Sequence, residues 1–335
     1  MSRDFQLQPG IRERVPLLVG LSGPSGSGKT YSALELATGM QEVNGGDIIF
    51  IDTENRRALH YADNFKFQHL DLGAPFGSLD YLAALEFAAS QNPAVIIVDS
   101  MSHEHEGPGG LIDYQAKEVE RMSGGDWKKA ERVKMLAWTK PKQARRALLN
   151  GLVRLNQNMI LCFRAGEKSK PTTGKSGRQE VVEQGFTPIA GPEFVYEMTL
   201  SALLYPGANG VPTFESGKPG EHGATKLPGQ FGNMFQPGAA LSREHGKILA
   251  EWARGGAEQG PRGSRIDIDA LNAEGEHAAA LGTSFLKAFW TRLSPKERTL
   301  LQAIKDDTWK PMAETADAKV NMDESTKELI EGAPY

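Results

Sequence analysis

The stretch Gly23-Pro24-Ser25-Gly26-Ser27-Gly28-Lys29-Thr30 constrains this chain more than any other feature, because it meets the phosphate-loop pattern G-x-x-x-x-G-K-[ST] at every fixed position. The apolar run Val15 to Leu21 precedes it and the helical pattern Tyr31 to Met40 follows, which is the strand, loop and helix setting the pattern requires. Glycines here let successive backbone N–H groups turn toward phosphate oxygens, and a helix beginning near Gly28 adds the positive end of its dipole. Lys29 is expected on the β and γ phosphates, and the Thr30 hydroxyl on Mg²⁺. Gly23 through Tyr31 are therefore the candidate contacts for a nucleoside triphosphate, read as ATP with Mg²⁺.

A chain of 335 residues with 39% apolar content buries one sizeable core and leaves material for a small second unit. Cys162, the single cysteine, sits in the apolar run Met159 to Phe163 and reads as an inert strand thiol, so disulfides are excluded. No apolar stretch approaches the roughly 20 residues of a membrane span, and Met1 to Arg14 lacks signal-peptide character, so the expectation is a soluble cytoplasmic protein. The net charge of −4 hides an asymmetry: Lys117 to Glu180 carries 16 basic and 6 acidic residues, a local +10 that leaves −14 elsewhere. Such a segment suits either a polyanion or an acidic neighbouring surface.

Short, branched apolar runs at Val15 to Leu21, Asp47 to Asp52, Ala94 to Asp99 and Met159 to Phe163 read as buried parallel strands. Helical patterns separate them at Lys29 to Val43, Leu79 to Ser90 and much of Leu111 to Asn156, which gives an α/β fold with a mostly parallel sheet flanked by helices. A strand over Val195 to Tyr205, loops through Gly207 to Gly232 and a helix from Arg243 to Ala253 complete the core. The expected organisation is an N-terminal arm (1–14), an ATPase core (15–254), a linker (255–281) and a small helical tail (282–335). In the tail, Ser294-Pro295-Lys296-Glu297 reads as a helix start. Its Phe285, Phe289, Trp290 and Trp309 suit docking on the core, on a neighbouring subunit or on another protein.

Two strand ends carry the expected chemistry. Val95-Ile96-Ile97-Val98-Asp99 ends in an acid placed to hold Mg²⁺, and Phe50-Ile51-Asp52-Thr53-Glu54 places Glu54 to polarise an attacking water. Glu54, Lys29 and Asp99 are thus the catalytic candidates, and Asp52 reads as a strand-end cap. His103-Glu104-His105-Glu106 lacks the i, i+4 spacing of a helical zinc pair and reads as a loop near the nucleotide. Helical, apolar-periodic surroundings place Trp127 and Trp138 in the core.

In order and spacing, the phosphate loop, Phe50 to Glu54 and Val95 to Ser100 resemble the core of the RecA family of recombinases, over about Val15 to Tyr205. Within it the chain is most similar to shortened phage RecA-like ATPases of single-strand annealing and recombination. The tail phrase Phe289 to Glu297 also resembles tails of phage recombination proteins. The resemblance implies ATP hydrolysis at subunit interfaces of a ring or filament, with two loops holding single-stranded DNA, in the host cytoplasm if phage-encoded. It implies DNA contacts for Lys168, Lys170, Lys175 and Arg178 in the loop Gly166 to Gly185, and a partner recombination or replication protein for the tail. It also makes Lys218 and Lys226 candidates for reaching a neighbour's ATP site. Where that family has an Asn-Gln phosphate sensor, this chain has Arg164-Ala165, so Arg164 is the candidate sensor by charge. The competing classes are an ATP-driven loader or remodeller of proteins and a small-molecule kinase; the Asp-Thr-Glu strand end suits hydrolysis over the kinase.

Overall fold

Branched apolar runs too short for helices form the strands of this chain, and the amphipathic segments between them cover both sheet faces. The computed structural model describes residues 14–173, 179–215, 218, 221–255, 268–293 and 295–318. The chain divides into two compact units, residues 1–258 and 259–335.

The first unit runs β1 (Leu18–Gly23), α1 (Lys29–Asn44), β2 (Ile48–Asp52), β3 (Gln68–Asp71), α2 (Ser78–Ser90) and β4 (Val95–Asp99). It continues with α3 (Ser102–Glu106), α4 (Leu111–Ser123), α5 (Trp127–Val133), α6 (Thr139–Arg154), β5 (Met159–Thr173), β6 (Gln179–Pro188), α7 (Pro192–Glu197), β7 (Leu200–Leu203) and α8 (Arg243–Arg254). Six strands lie in the order β3-β2-β4-β5-β1-β7, all parallel, and β6 pairs antiparallel with the outer half of β5. This mostly parallel, helix-flanked sheet is the expected α/β core. Alternate residues divide between its faces: Val95 and Ile97 join α1 and α8 on one side, Ile96 and Val98 join α2 and α6 on the other. Parallel strands all end on the same edge, so the ends of β1, β2, β4 and the midpoint of β5 converge there.

Several expectations are corrected. The loop Gly166 to Gly185 is instead the two-stranded ribbon of β5 and β6, with Lys168 opposite Gly185 and Lys170 opposite Val182. Lys168 and Lys170 sit on it; Lys175 and Arg178 lie outside the described residues. Trp127 is 72% exposed on α5, because the covered side of that short helix does not include it; Trp138 is partly buried. His103 to Glu106 belong to the one-turn helix α3, and β3 was not foreseen. Val195 to Tyr205 divides into the end of α7 and β7. Cys162 is buried within β5, and burial pushes its thiol up, as an inert strand cysteine requires.

The second unit contains α9 (Ile268–Ala280), α10 (Thr283–Arg292), α11 (Pro295–Ile304) and a π-helical turn, Lys305–Trp309, that continues helically. Its core gathers Ala279, Leu286, Phe289, Leu301 and Trp309. Helix α9 occupies much of the segment read as a linker, because Leu271, Ala278 and Ala279 give it a side that packs with α10 and α11. The expected arm, residues 1–14, lies outside the described residues except for Arg14. Among the described residues no helix is long and apolar enough to cross a membrane.

Candidate nucleotide site

The phosphate loop joins β1 to α1 along the sheet edge where β1, β2 and β4 end. Gly26 and Gly28 take φ of 79° and 93°, a region that side chains with a Cβ rarely adopt. Gly28 is the residue just before α1, so the free N–H groups of the first helical turn face the cleft. Lys29 is buried, and its Nζ donates to the carbonyls of Gly23 and Pro24, each at 2.8 Å; Ser27 Oγ donates to Pro24 O at 2.9 Å. The lysine is thereby held along the loop's inner curve. Burial pulls the Lys29 amine below the ordinary lysine range, opposed by the nearby Asp99 and Glu54 charges.

Thr30 Oγ1 donates to Asp99 Oδ2 at 2.6 Å, which joins the first turn of α1 to the end of β4. Burial pushes the Asp99 carboxyl above the usual carboxylate range, against the Thr30 hydrogen bond and the Lys29 charge. A buried acid and a hydroxyl side by side next to a phosphate loop are the oxygen donors that Mg²⁺ takes, so these residues fit the ion.

Glu54 lines the same cleft, two residues beyond Asp52 at the end of β2. Asp52 caps the chain locally: it accepts the Glu54 N–H at 2.7 Å, the Ala58 N–H at 3.0 Å and lies 3.1 Å from His69 Nε2. The Glu54 carboxylate is gripped by Arg164, whose Nε and Nη2 donate to its two oxygens at 2.8 and 2.7 Å. Arg57 lies 3.6 Å and His103 3.9 Å from the same carboxylate. Burial alone raises the Glu54 pKa, but the Arg164 hydrogen bonds and charge outweigh it and hold the group below the carboxylate range. Arg164 is also fixed at its backbone, whose N–H donates to Ser102 Oγ at 2.8 Å.

The other assigned residues fall in different places. Tyr31 packs edge-on against Tyr61 and Phe65, and it is Tyr61, on the one-turn helix Arg57–Tyr61, that joins the cleft wall. Lys168 and Lys170 lie four and six residues beyond Arg164 on the same strand. Lys226 Nζ donates to the carbonyls of Met198 and Tyr196 at 2.6 and 3.3 Å, and Lys218 pairs with Glu183 at 3.1 Å, so both have partners within the chain. The residues that sequence reasoning missed are Arg57, Tyr61 and His103. The basic pair Arg56-Arg57, one residue after the Asp-Thr-Glu strand end, was the available signal for the first; His103 was read within a loop near the nucleotide, without a role toward Glu54.

A family profile described as an AAA domain matches residues 16–198, which include β1 through α7 and every residue of the cleft. No curated protein matches the sequence. Among solved structures, a KaiC-like protein from the hyperthermophilic archaeon Pyrococcus horikoshii is similar over 53% of this chain and 81% of its own, at 13% identity and a TM-score of 0.27. Because the profile spans more than half of the chain and its phosphate loop, buried magnesium-type acid and strand-end glutamate stand together in one cleft, the protein belongs to the AAA domain family of P-loop ATPases.

Proposed function

We propose that this chain hydrolyses ATP and couples hydrolysis to single-stranded DNA, as a homo-oligomeric recombination protein of the phage type. The observation that supports the coupling is the Arg164 grip on Glu54: one strand, β5, holds that carboxylate at residue 164 and from Ala165 onward pairs with β6 in a ribbon that carries Lys168 and Lys170. Anything that engages the ribbon acts on the strand that holds Glu54.

Lys29 and the N–H groups of the loop would receive the phosphates, and Thr30 with Asp99 would hold Mg²⁺. When bound, the ion neutralises phosphate charge. Glu54 supplies the general base for water, but it cannot serve fully while both oxygens accept from Arg164. Moving Arg164 toward phosphate charge frees the base and adds a cation where negative charge develops. The partly buried Tyr61 in the cleft wall offers a ring face to a purine.

For DNA, Lys168 and Lys170 provide phosphate contacts that carry no sequence preference, and the exposed Trp127 beside Lys128 and Lys129 suits base stacking. Of the two lysines considered for action on a neighbouring subunit, Lys218, part-exposed in its pair with Glu183, is better placed than Lys226, which is occupied with the end of α7. The recombination and annealing reading rests on the sequence resemblance alone. The test is the ATP hydrolysis rate with and without single-stranded DNA, for the wild type and for Lys168→Ala with Lys170→Ala. Stimulation by DNA that disappears in the double variant supports this function. Equal rates with and without DNA make the chain a protein-directed remodeller instead.

A further inference from the structure

We propose that His103 is a positioning residue for hydrolysis: its Nε2–H takes hold of the Glu54 carboxylate when Arg164 releases it and keeps the base aimed at water. This rests on Glu54 being the base.

The argument begins with the fixed position of the ring. The His103 side chain is only 12% exposed and stacks on Phe76, centroids 4.8 Å apart and planes 26° apart. Its Nδ1 lies 2.8 Å from Thr53 Oγ1. The neighbouring hydrogen bonds assign the tautomer. Thr53 Oγ1 accepts the Ser100 N–H at 2.7 Å and has a single proton to give, either to Ser100 O at 3.1 Å or to His103 Nδ1 at 2.8 Å. Ser100 O already accepts the Tyr81 hydroxyl at 2.7 Å. The contact to Nδ1 is the shorter of the two, so we assign the Thr53 proton to Nδ1, and a neutral ring then carries its own proton on Nε2. That nitrogen faces Glu54 Oε1 at 3.9 Å, within ion-pair range and short of a hydrogen bond. With Arg164 holding both oxygens, the carboxylate leans away; once Arg164 turns, a small rotation of Glu54 closes the gap.

The scaffold around His103 is built to hold it there. A Cβ at Gly107 would lie 2.7 Å from His103 O and 2.8 Å from the Phe76 ring, and one at Gly110 would lie 2.6 Å from His103 O. The glycine loop after α3 thus closes directly over the helix and its stacking partner. On the opposite side of α3, the fully buried Glu104 accepts from Ser78 Oγ at 2.5 Å and from Arg145 at 2.6 and 3.2 Å. The charged groups around His103 are Glu54, Arg164 and Glu106; burial first and Arg164 second hold its pKa below the usual imidazole range, with the two acids opposing. The ring is therefore neutral at pH 7. Protonation puts a second proton on Nδ1, which turns the Thr53 hydroxyl proton toward Ser100 O, and places an imidazolium beside the base, so turnover falls as pH drops through the lowered His103 value.

The experiment compares kcat, KM and the pH profile of Mg²⁺-ATP hydrolysis for the full chain and for His103→Phe, His103→Gln and Glu54→Gln, with ATP affinity and Tm measured on each. The Phe variant keeps the stack and loses the donor, so kcat falls roughly 10- to 100-fold while ATP affinity and Tm hold. The Gln variant restores most of kcat, because its amide N–H reaches the place of Nε2, and its acid limb moves to lower pH. Wild-type kcat in the Phe variant, or equal losses in Phe and Gln, with Glu54→Gln inactive, overturns the role of His103 and leaves Glu54 standing. Wild-type turnover in Glu54→Gln removes the base itself. If the Phe variant does not fold, the Gln profile decides, and an unmoved acid limb overturns the proposal.

Discussion

The two sides of the cleft are built on opposite principles. On the phosphate-loop side the contacts are mostly local: Lys29 and Ser27 donate to carbonyls of their own loop, and the turn is fixed by Gly26 and Gly28. On the carboxylate side, Glu54, His103 and Arg164 come from three distant segments and face one another through side-chain charges, with Glu54 and Arg164 110 residues apart. The first arrangement has one conformation to offer. The second has partners to exchange, because an arginine that is drawn to phosphate must leave the carboxylate. Under the proposed function, a preformed cradle beside a self-paired carboxylate would separate binding ATP from hydrolysing it.

The largest expected effect breaks the rigid side. Lys29→Ala removes the amine that lines the loop and should weaken ATP binding about 100-fold or more, read by equilibrium titration, with the fold intact by thermal unfolding. Next comes the floor beneath the carboxylate side. Arg145 is 6% exposed and pairs with the fully buried Glu104, so Arg145→Met leaves an unpaired buried acid and should cost about 3–5 kcal/mol in denaturant unfolding. A loss within the scatter of surface substitutions would show that the floor is not held by that pair.

The smallest effect is a pH shift in stability. Arg164 holds the folded-state pKa of Glu54 below that of the unfolded chain, so the pair contributes stability that is present above the ordinary carboxylate range. This contribution is lost as pH falls through the depressed Glu54 value. Arg164→Ala should therefore lower stability at neutral pH by a modest amount and flatten the Glu54-linked loss on acidification, because the folded and unfolded Glu54 values move together, seen as Tm against pH. Parallel Tm curves for the wild type and the variant would mean the pair is not formed in solution.

Much of the rigid side was legible in the sequence, because its information is local. The loop pattern, the branched runs of β1, β2, β4 and the inner half of β5, and the strand-end positions of Glu54 and Asp99 lie within short windows. The carboxylate side was legible only in parts. Residue 164 was read as a candidate phosphate sensor from the family resemblance, but its grip on Glu54 depends on β4 lying between β2 and β5, which no local pattern reports. The basic ribbon was read as a loop from its Gly, Ser, Thr and Pro content, while the pairing of Thr172 with Glu180 and Pro171 with Val181 extends it as strand. Helical spacing identified α5 but not which of its sides is covered, so Trp127 was assigned inward. The alanine-rich stretch of α9 passed for a linker because its apolar residues are small, although alanine is the strongest helix former.

The most direct measurement is the ratio of ATP hydrolysis rates with and without single-stranded DNA in Arg164→Ala, set beside the same ratio in the wild type. If Arg164 is the link between the ribbon and the base, the wild-type ratio is well above one and the variant's falls to about one, whatever its basal rate. A variant that keeps the wild-type ratio would contradict the account, because the ribbon would then be reaching Glu54 without the residue that holds it.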